Sequence, residues 1–122
     1  RRRYLAKRYD ELLKNLPLHT PYVLEGANPS WHIYIVRLAL DQIGKTKQQI
    51  FEEMKERGIM LNLHYIPVHR QPYYEKLGFR QGDFPESEKY YEEAFTLPLY
   101  YELTNEEQEK VVETLKKVLR NR

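Results

Sequence analysis

The 122-residue chain contains no cysteine. That excludes disulfides, iron–sulfur clusters, thiolate zinc sites and cysteine nucleophiles, and it fits a reducing cytoplasm. No apolar run is long enough to cross a membrane, and the first residues do not read as a signal peptide. Serine occurs only at Ser30 and Ser87. Neither sits in a nucleophile elbow, and Ser87 reads as a first-turn helix residue, so a hydrolase triad has no foundation. The five glycines are scattered and none builds a glycine-rich turn before a helix, which removes a phosphate loop. A strong charge of one sign is also missing. Twenty basic and 18 acidic residues leave a formal net charge of +2, poor support for a nucleic-acid partner. The basic start RRRYLAKR is a solvated helix face or a phosphate-binding arm.

An apolar share of 41% suits one domain with a modest core. Eleven tyrosines are many for this length, enough for core-edge positions and for a surface that meets another domain or a ligand. The chain opens on arginine in mid-helix, as a piece of a longer protein would.

Helical spacing of Tyr4, Leu5, Tyr9, Leu12, Leu13 and Leu16 predicts a helix over 1–16, ended by Asn15 and Pro17 and followed by a loop. WHIYIVRLAL, 31–40, predicts a strand, with His32, Tyr34, Val36 and Leu38 on one face and Trp31, Ile33 and Ile35 on the other. Thr46 and Gln49 form a capping box for a helix that carries Ile50, Phe51 and Met54 and ends at Gly58. IMLNLHY, 59–65, is a second strand, which makes 31–65 a strand–helix–strand unit. One or two helical turns follow in PYYEKLG. Asp83 and Glu86 have capping-box spacing for a helix over about 85–95 bearing Tyr90, Tyr91, Ala94 and Phe95. TLPLY is extended, a possible third strand. A last helix, capped by Thr104 and Glu107, presents Val111, Val112, Leu115, Val118 and Leu119 along one face. The fold class is α/β (α+β, two-layer): a small sheet of about three strands with helices packed on it.

The stretch NLHYIPVHRQPYY, 62–74, concentrates the chemistry. His64 and His69 stand five apart, off the helical spacing of zinc peptidases and without an evident third ligand. A histidine and a tyrosine at the end of a strand, before a proline-stiffened loop, suit a ligand-facing edge, with Tyr65, Tyr73 and Tyr74 as stacking surfaces. A surface loop with packed aromatics fits the same spacing.

An ordered series of motifs runs through these segments: Gly58, an apolar strand, His64-Tyr65, Pro67, His69, Pro72-Tyr73, the GDFP turn at 82–85, Leu97–Leu99, and Leu103 to Glu107. The series resembles the C-terminal segment of the DegT/StrS-type sugar aminotransferases, and the upstream RRRYLAKRYDELL and SWHIYIVRL fit the same pattern. The resemblance covers essentially the whole chain and is nearest to the branch that makes pseudaminic-acid precursors. It implies the C-terminal small domain, residues 1–122, of a fold-type I transferase dependent on pyridoxal phosphate. The parent enzyme would move an amino group from glutamate to a nucleotide-linked 4-keto-6-deoxy sugar. It would be a cytoplasmic homodimer with no membrane partner. The Schiff-base lysine and the cofactor phosphate site would belong to a large domain outside this chain, so the chain alone would be inactive. Asn62, His64, Tyr65, Ile66 and Pro67 would line the sugar side, with His69 a further contact. Arg70 would be a diphosphate contact or a solvated arginine. A relative acting on another sugar, or a non-catalytic binding domain of the same descent, are the competing expectations.

Overall fold

Pro98 sets one limit of the sheet. In the computed structural model, which describes residues 1–63 and 66–120, the four strands are β1 (Leu18–His19), β2 (Tyr34–Leu38), β3 (Asn62–Leu63) and β4 (Ala94–Leu97). Their order is β1-β2-β4-β3, with every neighbouring pair antiparallel. Tyr34 pairs with Leu97 and Asn62 with Thr96. One step further, the β2–β4 ladder would set Ile33 opposite Pro98, which has no N–H, whereas the β3–β4 ladder stops one pair before Pro98 is reached. Both expected strands are shorter than their apolar patterns. Ile59 and Leu61 still point inward beyond the ladder, and Met60 points out. The freed Pro98 carbonyl accepts a 2.6 Å bond from the Tyr9 hydroxyl.

The alternation read in 31–40 holds. Tyr34, Val36 and Leu38 are fully buried, and Ile35 and Arg37 lie on the other face. At the strand entrance Trp31 has a φ of +55°, rare for a residue with a side chain, and its ring rests 5.5 Å from that of Tyr34. The strand–helix–strand unit is real but split: β4, last in the chain, lies between β2 and β3. β1 falls in the segment expected to be a loop; two residues are too short to show a period.

Three helices cover one face. α1 (Arg2–Leu12) buries Leu5, Ala6 and Tyr9, while Tyr4 and Leu12, expected on its apolar stripe, are exposed. α2 (Lys47–Glu56) starts at the expected capping box, with both reciprocal bonds formed, and ends before Gly58 at φ +85°, the left-handed cap. The last helix, here α5 (Asn105–Arg120), buries all five expected residues and also Gln108. Gln108 donates to the Leu5 carbonyl (2.7 Å) and accepts from Arg8 (3.1 Å), so its buried amide is satisfied and α5 is pinned to α1. The basic start is likewise engaged within the fold: Arg1 donates to the Leu103 carbonyl, Arg3 to the Pro29 carbonyl, and Arg8 meets Glu109 at 2.7 Å.

Two short helices lie outside this layer. α3 (Pro72–Lys76) is the expected turn or two. α4 (Pro85–Glu93) stops two residues early, because Ala94 and Phe95 belong to β4. Its expected capping box is absent. The Asp83 carboxylate instead accepts from the Arg80 amide at 2.8 Å, closing a tight turn.

Candidate functional site

β3 delivers the chain to the candidate site. Asn62 is exposed and pairs across the sheet with Thr96, which pairs in turn with Ile35. These three share the sheet face opposite the α1, α2 and α5 layer. His64 and Tyr65 lie outside the described residues. Ile66 follows, 47% exposed, its carbonyl accepting from the Gln71 side chain at 3.2 Å. Pro67 is buried and leads into a 3-10 turn, Val68–Arg70, closed by the Arg70 amide on the Pro67 carbonyl. Asn62 and Ile66 are thus open to a ligand, whereas Pro67 and His69 are withdrawn from solvent.

His69 is enclosed, 6% exposed. Among the described residues its Nε2 has no hydrogen-bond partner, and it lies 3.6 Å from Oε2 of Glu88 on α4. That gap is too long for a hydrogen bond, and a buried polar atom without a partner costs about 1–3 kcal/mol. Glu88 is itself nearly enclosed, and its two carboxylate oxygens accept the Gly82 amide at 2.7 and 3.0 Å. A carboxylate in the first turn of a helix also meets the positive end of the helix dipole. Glu88 therefore takes the role at this helix start that Asp83 and Glu86 were expected to share. Sequence reasoning passed over it, since one acidic residue among ESEKYYEE carries no distinguishing signal.

Around His69 the aromatic residues form a chain. Phe84 stands edge-on to the imidazole at 4.8 Å, Phe79 lies 6.1 Å from Phe84, and Tyr74 lies 6.2 Å from Phe79. Val68, His69, Tyr74, Phe79, Phe84 and Ser87 line an open cavity of about 330 Å³. Tyr73, Tyr74 and Phe84, expected to stack or to shape the loop, are all exposed in part. The arrangement offers apolar and aromatic surface beside a strand end, suited to enclosing a ligand.

The cavity beside His69 does not fit the phosphate or the aldehyde of pyridoxal phosphate. No lysine or arginine lines the cavity beside His69. Lys45 and Lys47, which flank the start of α2, are both engaged. Lys45 bonds Glu53 and the Val118 carbonyl. Lys47 donates to the Tyr91 carbonyl and lies 4.2 Å from the Tyr91 ring centroid, and burial lowers its pKa. No step of cofactor chemistry is assigned to this chain.

The model of the DegT/DnrJ/EryC1/StrS aminotransferase family matches residues 1–116. The spore coat polysaccharide biosynthesis protein SpsC of Bacillus subtilis is 32% identical over 98% of this chain, which covers 32% of SpsC. The dTDP-3-amino-3,6-dideoxy-alpha-D-galactopyranose transaminase of Aneurinibacillus thermoaerophilus is 34% identical over 94% of the chain and 30% of its own length. Among solved structures, S. venezuelae DesV superposes with a TM-score of 0.88 at 25% identity, over 100% of this chain and 32% of DesV. The chain thus spans about a third of the length of the curated relatives it matches. Matched over residues 1–116 and superposed along its full length on a solved relative, the chain belongs to the DegT/DnrJ/EryC1/StrS aminotransferase family.

Proposed function

We propose that the chain is the C-terminal small domain of a nucleotide-sugar aminotransferase and helps to bind and enclose the sugar. The observation that carries the reading is the run from β3 into Ile66 and the 3-10 turn, with Asn62 and Ile66 exposed, in a chain whose family match extends over residues 1–116. Asn62, His64, Tyr65, Ile66 and Pro67 form the sugar-facing edge. A large domain outside this chain holds pyridoxal phosphate and the lysine that moves protons. The amino donor is glutamate and the acceptor a nucleotide-linked 4-keto-6-deoxy sugar, with the pseudaminic-acid branch as the specific assignment. The parent is a cytoplasmic homodimer.

The test is the visible absorption of the purified full-length protein before and after glutamate. A yellow band that glutamate shifts to the pyridoxamine form supports the reading, and a panel of nucleotide 4-keto sugars then assigns the acceptor. No bound cofactor, and no response when pyridoxal phosphate is supplied, would overturn it in favour of a non-catalytic binding domain.

A further inference from the structure

We propose that His69 and Glu88 form a latch that positions the sugar-facing loop, so that His69 acts through Ile66 and Pro67 and not by touching substrate. The inference rests on the reading above and deepens it. Three observations carry it.

The first is enclosure. His69 is 6% exposed, and its Nε2 is itself buried and close to Glu88, so its polar tip is turned from the cavity that its ring helps to line.

The second is anchoring. Glu88 is fixed on α4 by its bond to the Gly82 amide, through both carboxylate oxygens, and has lone pairs left to accept a further donor. The imidazole sits on the one-turn 3-10 segment Val68–Arg70, directly after Pro67, and Gln71 binds the Ile66 carbonyl from the far side of that turn. A displacement of His69 is therefore passed to Ile66 and Pro67, the described residues next to the end of β3.

The third is the gap. At 3.6 Å the pair is close without being bonded, and an approach of roughly 0.7 Å brings it to the ~2.9 Å of a charge-assisted hydrogen bond. The open cavity bordered by Val68 and Phe84 leaves room for that movement. Closing the latch draws the loop toward α4, and an occupied sugar site favours the closed form because only that form holds Ile66 and Pro67 in the binding position.

The experiment compares His69→Gln, Glu88→Gln and the double variant in the full-length protein. Glu88→Gln retains a side-chain oxygen for the Gly82 amide, and unchanged hydrogen exchange in α5 certifies that each variant is folded. The first readout is amide exchange across residues 66–84 with and without nucleotide sugar; the second is KM for the sugar against kcat. Each single variant is expected to abolish the sugar-induced slowing of exchange in 66–84. Each is also expected to raise sugar KM on the order of tenfold with a smaller change in kcat, and the double variant to be no worse than either single, the signature of two residues acting through one contact. Unchanged exchange protection in both singles overturns the latch. So does a raised KM in His69→Gln alone with exchange intact, which makes His69 a direct contact. If the protein neither binds sugar nor responds to glutamate, the proposed function fails. The latch is then judged by exchange without ligand, where faster exchange at Gly82 in His69→Gln keeps it and identical exchange removes it.

Discussion

The fold uses its aromatic residues in two opposite ways. Beneath α1 and α5, Tyr9 and Tyr34 are fully buried, their rings 4.9 Å apart, and each hydroxyl donates to a fixed acceptor, the Pro98 carbonyl and Asp10. Between residues 66 and 84, Tyr73, Tyr74, Phe79 and Phe84 touch one another in a chain yet all remain exposed in part. The first group stabilises the fold by burial and by satisfied polar tips. The second presents apolar area with little of the fold behind it, which is what a surface awaiting a ligand or another domain requires.

The contrast can be broken most directly by truncation. Leu115→Ala, at a fully buried site facing the sheet, should cost about 2–5 kcal/mol in urea unfolding. Phe84→Ala, at a residue 47% exposed, should cost about 1 kcal/mol, well below the range for a core phenylalanine. Equal costs would mean that the 66–84 segment is a second core and that the contrast is false.

Alkali sharpens it next. Burial raises the pKa of Tyr9 and Tyr34 above the ordinary 10.0, and for Tyr34 the bond to Asp10 raises it further. The unfolded chain releases these protons near pH 10 while the fold retains them. Stability is thus intact below pH 10 and falls above it, by at most about 1.4 kcal/mol per pH unit for each tyrosine. Unfolding midpoints between pH 9 and 11 should decline steeply, and Tyr34→Phe should flatten the decline.

The smallest effect belongs to the exposed group. Tyr73→Ser should change stability by less than about 0.5 kcal/mol, yet it should weaken self-association of the 122-residue chain in analytical ultracentrifugation. A clean monomer at all concentrations before the substitution would remove the tyrosine-rich surface as an adhesive face.

Most of the helical layer could be read from residues alone, because capping and 3.6-residue spacing are local. Thr46 with Gln49 and Thr104 with Glu107 both cap as their spacing indicates. What could not be read was non-local. Pro98 limits β2, which lies far from it in sequence, and β1 exists only because β2 offers it an edge. For the candidate site the structure adds exposure and enclosure: Asn62 and Ile66 are exposed and His69 is buried. The enclosure of His69 depends on Glu88, 19 positions away, and no spacing rule joins them.

The central place of β4 has a kinetic consequence. Neither β2 nor β3 has its main partner until residues 94–97 exist, and α1 cannot close on Gln108 until about a hundred residues separate the two. These core contacts therefore span long loops, whose closure entropy must be met before burial rewards it. On the ribosome, the edges of β2 and β3 that face β4 emerge bare and stay so until the last quarter of the chain is made. The interval before β4 inserts, and not the finished sheet, is when this fold is most open to pairing with the wrong strand.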